Sequence, residues 1–196
     1  DIRIDPVIVT ATLLHDVPED TEVTLEDIEK NFGSDIASLV RGITKLGKLK
    51  YRGVERYIEN LRKMFVAMAE DARVMLIKFA DRVHNLTTLG SLPPQKQYRI
   101  ALESLEIYAP IAGRLGIAEM KGQLEDLSFR YVYPKEYARV KNIRTEKLQG
   151  KEGYIDTVRT HAKEEIASAG VTICSIEGRE KRLFTFYQKL IRKDNK

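Results

Sequence analysis

A histidine and three carboxylates lie within six residues near the start of the chain. His15 and Asp16 are adjacent, and Glu19 and Asp20 follow after a valine and a proline. An imidazole and a hard carboxylate together offer nitrogen and oxygen donors, a mixed set that suits Mn²⁺, Fe²⁺ or Zn²⁺ better than Ca²⁺. Four ionisable groups this close repel one another or share protons unless a cation lies among them. The hexapeptide therefore indicates either a metal site or a solvated acidic turn.

A second polar group interrupts a strongly apolar helical segment around Asp81. A carboxylate buried in such a helix is costly unless it is paired or bound to metal, and Arg82 could supply that pairing. His84 fits a surface or core histidine as well as a functional one. Asn85 lies four residues after Asp81, on the same helix face, where it could contact whatever binds beside an ion.

The composition is that of an ordinary globular protein. The 196 residues are 43% hydrophobic and 32% charged, which suits one or two domains with a real core. No apolar window is long enough to cross a bilayer, and no signal-peptide pattern opens the chain. The single cysteine, Cys174, excludes an internal disulfide. These features favour the cytoplasm and predict no membrane partner.

Two basic runs account for much of the net charge of +4. Such runs can attract phosphate-rich ligands or nucleic acid, although a solvated helix face produces the same pattern. No recognised nucleic-acid motif accompanies them, so a nucleic-acid-binding module is the weaker interpretation. The two runs consist of Arg41, Lys45, Lys48, Lys50, Arg52 and Arg56, and of Arg179, Lys181, Arg182, Lys189, Arg192, Lys193 and Lys196.

Helical periodicity and helix end signals cover most of the chain. Asp5 and Pro6 predict a helix start, Thr24 with Asp27 resembles a capping box, and Gly33 predicts a helix end. The basic segment 45–53 is predicted to be a loop. The predicted helices cover residues 5–17, 24–32, 34–45, 54–70, 71–89, 94–115 and 119–131, a helix opening at Pro134, and 154–169.

The pattern changes near Gly170. Val171, Ile173 and Ile176 alternate with smaller residues and predict a strand, which would begin a second domain of α/β or α+β type. An amphipathic helix is predicted to follow. Its apolar stripe is predicted to be core rather than a nucleotide platform, and consists of Phe184, Tyr187, Leu190 and Ile191.

Taken together, the motifs resemble the hydrolase half of RelA/SpoT homologues, a branch of the HD phosphohydrolase superfamily. The motifs that carry the resemblance are His15-Asp16-x-x-Glu19-Asp20, Glu59-Asn60-Leu61-Arg62-Lys63-Met64 and Lys78-x-Ala80-Asp81-Arg82-x-His84-Asn85. It continues through residues 108–116 and 124–131, which resemble the bridge to the synthetase half. Gly178-Arg179-x-Lys181, with Thr185 and Lys189, resembles the start of the ATP-binding motif of that half.

The resemblance implies a mainly α fold. An HD-type helical hydrolase domain would occupy residues 1–112, with its N-terminal part missing. Residues 113–196 would form bridging helices and the beginning of an α+β, nucleotidyltransferase-like synthetase domain.

The family also implies a metal centre and a reaction. A single Mn²⁺ is held there by two histidines and two aspartates, of which His15, Asp16 and Asp81 match three, while the other histidine is expected upstream of this chain. Glu19 and Asp20 match the acidic pair that orients and deprotonates water. That water attacks the 3′-diphosphate of guanosine tetraphosphate or pentaphosphate, which releases pyrophosphate and returns GDP or GTP.

Further contacts follow from the same resemblance. Asn85 would bind the ribose and Thr88 would line the same pocket, while no single residue of 45–52 can be assigned to the phosphates. In the synthetase half, Arg179 would contact ATP and Lys181 and Lys189 its phosphates. Thr185 and Lys189 share one helix face.

The synthetase half transfers pyrophosphate from ATP to GDP or GTP with Mg²⁺, whose carboxylate ligands are expected beyond Lys196. We therefore expect no synthesis by this chain alone. Ribosome or tRNA contacts would need domains that are absent here.

Two other interpretations remain. An HD fold could act on another phosphoester, although the bridge and ATP motifs favour the alarmone. A degenerate HD domain could instead regulate a synthetase without catalysis, which the intact acidic and histidine residues argue against.

Overall fold

A computed structural model describes residues 5–47, 62, 64–149 and 153–194, and the described part of the chain is mainly helical. Residues 64–70 are helical. The other helices are α1 Pro6–Leu14, α2 Val17–Asp20, α3 Leu25–Phe32, α4 Ser34–Gly47, α5 Arg73–Thr87, a 3₁₀ turn Leu89–Ser91, α6 Pro94–Glu103, a π-helical turn Ser104–Tyr108, α7 Ala109–Arg114, α8 Ala118–Val132, α9 Pro134–Leu148, α10 Tyr154–Ser168 and α11 Leu183–Asp194.

The first helices begin where their capping residues predict. The Asp5 carboxylate accepts from the Val7 amide at 2.9 Å, and Thr24 and Asp27 form the predicted capping box of α3. The prediction that the first helix runs to residue 17 is wrong, because α1 ends at Leu14. Proline is tolerated in a first helical turn, and Pro18 lies in the first turn of a separate helix, α2. Glu19 and Asp20 are therefore held in helical backbone.

The main hydrophobic core lies where α5 packs against α1, α4 and α8. Val74, Met75, Ile77 and Phe79 of α5 are buried, while Leu76 and Ala80 are exposed. The helix carries apolar residues on more than one side, so periodicity alone does not fix which side faces the core.

A π-helical turn joins α6 to α7 within the helix that was predicted for residues 94–115. The Ala109 amide donates to the Ser104 carbonyl, five residues back. The turn precedes Pro110, whose nitrogen has no hydrogen to donate to a helical carbonyl. Gly116, with φ of 77°, ends α7 close to the predicted break.

A smaller aromatic cluster joins α8, α9 and α11. Phe129 is fully buried, and its ring centroid lies 5.3 Å from that of Phe184 and 4.9 Å from that of Tyr187. Leu190 packs against the cluster, which confirms most of the predicted stripe. Ile191 is 40% exposed, so its predicted place in the core is wrong.

Two backbone predictions fail in the described residues. The segment from Val171 to Ile176 forms no strand there. A strand gains its hydrogen bonds from a neighbour, and no described residue supplies one. The predicted loop at 45–53 also begins too early, since α4 continues to Gly47. The rest of that loop, the basic residues Lys48 to Arg56 and most of the predicted helix 54–70 lie outside the described residues.

Candidate metal and nucleotide site

His15 lies at the C-terminal end of α1, where its ring faces two carboxylates. Its Nδ1 lies 2.7 Å from the Thr12 carbonyl oxygen and donates to it, which leaves the lone pair on Nε2. Nε2 is 3.0 Å from Asp16 Oδ1 and 3.7 Å from Asp81 Oδ1. It is buried and has no hydrogen-bond partner among the described residues. At 3.7 Å the Asp81 contact is longer than a hydrogen bond and acts through its charge.

The two carboxylates change the protonation of this ring. The Asp81 carboxylate, then the Thr12 carbonyl and the Asp16 charge, raise the pKa of His15 above its ordinary value, although burial opposes them. Either a proton or a cation at Nε2 relieves the repulsion between the ring lone pair and the carboxylates.

Asp81 is held on α5 by its own helix neighbours. Oδ2 accepts from Lys78 Nζ at 2.7 Å, and Oδ1 accepts from Asn85 Nδ2 at 2.8 Å. Burial alone would raise the pKa of Asp81, but the His15 side chain and the Lys78 ammonium outweigh it and hold that pKa well below its usual range. Of the two alternatives for Asp81, pairing with Arg82 is not formed, because Arg82 pairs with Glu103 at 3.4 Å.

These three side chains fit part of a metal donor set. A histidine that binds a metal commonly donates its other ring nitrogen to a carbonyl, as His15 does to Thr12. The buried Nε2 without a partner then lies beside one exposed and one buried carboxylate. No group of three or more ligand side chains in the described ranges is arranged to hold an ion as it stands.

Glu19 and Asp20 follow on the short helix α2, and both side chains are exposed. Their backbone amides bond to the Asp16 carbonyl at 3.0 and 2.9 Å. The acidic pair is therefore tied to one of the candidate ligands through the backbone, and its carboxylates remain available to water.

Asn85 and Thr88 line one cavity of about 370 Å³ at the C-terminal end of α5. Its wall combines a guanidinium, an amide and hydroxyls with apolar side chains, a mixture that suits a small polar ligand with a flat apolar part. Asn85 joins the cavity to Asp81 through their hydrogen bond. The other lining residues are Arg82, Leu89, Ser91, Leu92 and Ile100.

The candidate ATP-binding residues lie at the other end of the described chain. Arg179 and Lys181 are exposed in the irregular segment before α11, and Thr185 and Lys189 are exposed on α11 itself. Lys181 also lines a cavity of about 270 Å³ beside Arg144 and Glu180.

Arg182 has a contact that the sequence did not predict. It pairs with Glu119 on α8 and lies 3.8 Å from Asp126 on the same helix. Asp126 accepts from the Phe184 amide at 2.9 Å and so bonds to the first turn of α11. The segment that carries Arg179 and Lys181 is therefore fastened to α8.

Comparison with known proteins identifies the family. The profile described as "HD domain" matches residues 1–118. The chain belongs to the HD-domain family. Membership in this family implies a divalent metal, and the donor set of His15, Asp16 and Asp81 lies inside the matched part of this HD domain.

The chain is also similar throughout its length to larger curated proteins. It is 43% identical over 195 residues to a probable guanosine-3′,5′-bis(diphosphate) 3′-pyrophosphohydrolase of Synechocystis sp., covering 99% of this chain and 26% of the relative. It is 44% identical over 197 residues to the bifunctional (p)ppGpp synthase/hydrolase SpoT of Escherichia coli, covering 100% and 28%. A GTP pyrophosphokinase of Streptomyces coelicolor is 42% identical over 191 residues, covering 97% and 22%.

These similarities confirm the resemblance to RelA/SpoT homologues and the HD-type helical fold. The chain spans about a quarter of the length of these relatives. The boundary predicted between residues 112 and 113 lies within α7 and stays a prediction. Within the described residues, the HD domain and the helices after it include no helix long and apolar enough to cross a membrane.

Proposed function

We propose that this HD domain hydrolyses the 3′-pyrophosphate of guanosine tetraphosphate and pentaphosphate with Mn²⁺, in the cytoplasm. The observation that carries the proposal is His15 Nε2, buried without a hydrogen-bond partner between Asp16 and Asp81. The relatives named for this hydrolysis support the choice of substrate.

His15, Asp16 and Asp81 would hold the ion, which would lower the pKa of water and offset charge on the pyrophosphate. A further histidine upstream would complete the ligand set. His15 is suited to this role because the Thr12 carbonyl keeps the hydrogen on Nδ1 and the lone pair on Nε2.

Glu19 and Asp20 would act on the attacking water. A carboxylate of this pair accepts its proton while the water oxygen forms a bond to the phosphorus nearest the ribose. The bond from that phosphorus to the ribose 3′ oxygen breaks, pyrophosphate leaves and the oxygen takes up a proton. The exposure of both side chains on α2 keeps them open to solvent water.

Asn85 and Thr88 would bind the nucleoside in their shared cavity. The Asn85 amide already bonds to Asp81, so it can place a ribose hydroxyl next to the candidate metal ligands. The apolar wall formed by Leu89 and Leu92 suits the flat face of the base.

The segment around Arg179 would belong to a second, synthetic activity of the whole protein. Arg179, Lys181 and Lys189 would meet ATP and its phosphates, Thr185 shares the helix face of Lys189, and Mg²⁺ would be needed. GDP or GTP would accept the pyrophosphoryl group. Exposure of these four side chains is compatible with binding a ligand from solvent.

The test is release of pyrophosphate from guanosine tetraphosphate, with Mn²⁺ and after chelation. It is run on the chain and on a version extended upstream by the segment expected to carry the further histidine. Glu19→Gln should slow release about 10²- to 10⁴-fold because it removes the proton acceptor. Asp81→Ala should abolish release together with Mn²⁺ binding.

Glu22→Gln is the matched control for Glu19→Gln, since it makes the same change at an exposed residue just beyond α2. It should leave the rate unchanged. No release from the folded, Mn²⁺-loaded extended version would sink the proposed hydrolase and favour a regulatory, non-catalytic HD domain.

A further inference from the structure

Arg82 is a buried cation that the proposed reaction does not use. Its guanidinium lies 3.4 and 3.5 Å from the two Glu103 oxygens and donates to the Tyr108 hydroxyl at 3.1 Å. The same group lies over the Tyr108 ring, 4.3 Å from its centroid. Arg82 and Glu103 are each only 12% exposed, and Tyr108 is 2% exposed. A desolvated cation with these partners fixes its helix firmly.

The π turn explains how both partners reach one guanidinium. In an α-helix with 3.6 residues per turn, positions five apart point about 140° away from each other. The i→i+5 hydrogen bonding of a π turn widens the helix, so residues five apart come close to one face. Glu103 and Tyr108 are five apart across the turn Ser104–Tyr108, and both contact Arg82. Isolated π turns of this kind occur frequently at functional sites.

The Arg82 cluster lies directly beside the candidate site. Arg82 follows Asp81 in α5 and lines the cavity that contains Asn85 and Thr88. Its Nε is buried and has no hydrogen-bond partner among the described residues. Tyr108 also contacts α5 a second time, edge-on to Phe79 at 6.5 Å between ring centroids. The rotation of α5 about its own axis is therefore set by contacts within one turn of Asp81.

We propose that Arg82, held by Glu103 and Tyr108, is a positioning residue that fixes Asp81 for the divalent ion and Asn85 for the substrate. This inference rests on the proposed function of the same site. Its mechanism is geometric: Asp81 Oδ1 lies 3.7 Å from His15 Nε2, and a small rotation of α5 would move these two candidate donors apart. Loss of the hydrogen-bonded partners around metal ligands commonly weakens metal binding or activity about 10- to 100-fold.

The test measures Mn²⁺ affinity of the metal-free protein by titration, beside its melting temperature. Tyr108→Phe removes only the hydroxyl that Arg82 contacts and should weaken Mn²⁺ binding about tenfold. Arg82→Lys keeps the charge but loses the planar fork, and should weaken binding at least as much. Tyr137→Phe, the same chemical change in the aromatic cluster around Phe129, is the control and should leave Mn²⁺ affinity unchanged.

Unchanged Mn²⁺ affinity in both Tyr108→Phe and Arg82→Lys would overturn the proposal. An equal loss in Tyr137→Phe, or losses that simply follow the melting temperatures, would also overturn it by showing general destabilisation. Hydrolysis of guanosine tetraphosphate is measured separately on the same samples. An Mn²⁺-loaded, upstream-extended wild type that releases no pyrophosphate would refute the proposed function, while the affinity comparison would still decide the role of Arg82.

Discussion

A single ring nitrogen sets the chemistry of the candidate site. Because His15 Nδ1 bonds to the Thr12 carbonyl, Nε2 presents a lone pair towards Asp16 and Asp81. The same helix therefore supplies a ligand and the carbonyl that orients it, three residues apart. Asp81 is likewise held by hydrogen bonds from its own helix, donated by Lys78 and Asn85. Local helix spacing does most of the positioning within each half of the site.

A second carboxylate, Asp71, supports the start of α5. It accepts from the Arg73 amide at 2.8 Å and from the Arg73 guanidinium at 2.7 Å. The hydrogen bonds from the guanidinium, and to a smaller extent the one from the amide, hold the pKa of Asp71 below its usual range. Since the folded-state pKa is depressed, the stabilisation is present above the unfolded pKa of about 3.9 and is lost as pH falls through the folded value.

We expect Asp71→Asn to lower the free energy of unfolding by about 1 kcal/mol at pH 7, because asparagine can still accept a hydrogen bond from the Arg73 amide but loses the charge. The difference should shrink below about pH 4, as measured by urea unfolding across pH. Asp156→Asn, which affects an exposed i,i+3 pair with Arg159, should change stability by less than about 0.5 kcal/mol. A pH-independent loss at Asp71 would contradict the electrostatic explanation.

At the scale of single residues, the sequence predicted which residues form the candidate site better than it predicted which side chains pair with one another. Asp81 was recognised as a carboxylate that needs a partner or a metal, but the alternative partner that was named, its neighbour Arg82, does not pair with it. Adjacent residues on a helix point in different directions, whereas residues three apart share a face. Lys78, at i−3, was therefore the better choice from spacing alone. Glu103 and Tyr108 could not have been assigned to Arg82, because their approach depends on tertiary packing and on a π turn.

At the scale of the elements, Gly42 lets helices α4 and α5 pack tightly against each other. A Cβ built on Gly42 would lie 2.8 Å from Val74 Cγ2, which is closer than carbon atoms can pack without a shift. The lack of a side chain lets α5 lie directly on α4. The same helix α5 carries Asp81 and Asn85.

We expect Gly42→Ala to destabilise the protein by about 1–3 kcal/mol through this clash, although alanine favours a helix by about 1 kcal/mol over glycine. Combining it with Val74→Ala should restore part of the loss, giving a coupling of at least about 0.5 kcal/mol in a double-mutant cycle. Chemical unfolding of the four proteins measures it. Effects that add without coupling would show that the two helices do not meet at this pair.

At the scale of the elements, the sequence predicted that helices are present, but not their internal geometry. Capping residues located α3, and prolines located the starts of α6 and α9, because these signals act within one turn. The strand at Val171 to Ile176 was predicted only from the alternation of apolar and smaller residues. That pattern does not show whether a neighbouring strand is present to pair with it. The π turn within the predicted helix 94–115 was not predicted, because helical periodicity does not distinguish an inserted π turn from regular α-helix.

At the scale of the whole molecule, α8 takes part in both hydrophobic clusters. Its residue Leu124 is buried in the main core with α5, while Phe129 is the centre of the aromatic cluster with α9 and α11. Arg182 and the amide of Phe184 add polar contacts to α8. Helices α5 and α11, which carry residues of the two candidate nucleotide sites, therefore both pack on α8. The aromatic cluster around Phe129 determines how firmly α11 is attached to α8.

Removing Phe184 should loosen α11 without disturbing the metal site. Phe184 is 8% exposed and belongs to a small cluster, so Phe184→Ala should cost about 3 kcal/mol, locally rather than globally. Hydrogen exchange should speed up in α11 and the facing part of α9, while amides of α4 and α5 stay protected. Ile191→Ala, at a 40% exposed position of the same helix, is the control and should change exchange little. Faster exchange throughout α5 after Phe184→Ala would instead show that both clusters unfold as one cooperative unit, with α8 transmitting the change to Asp81.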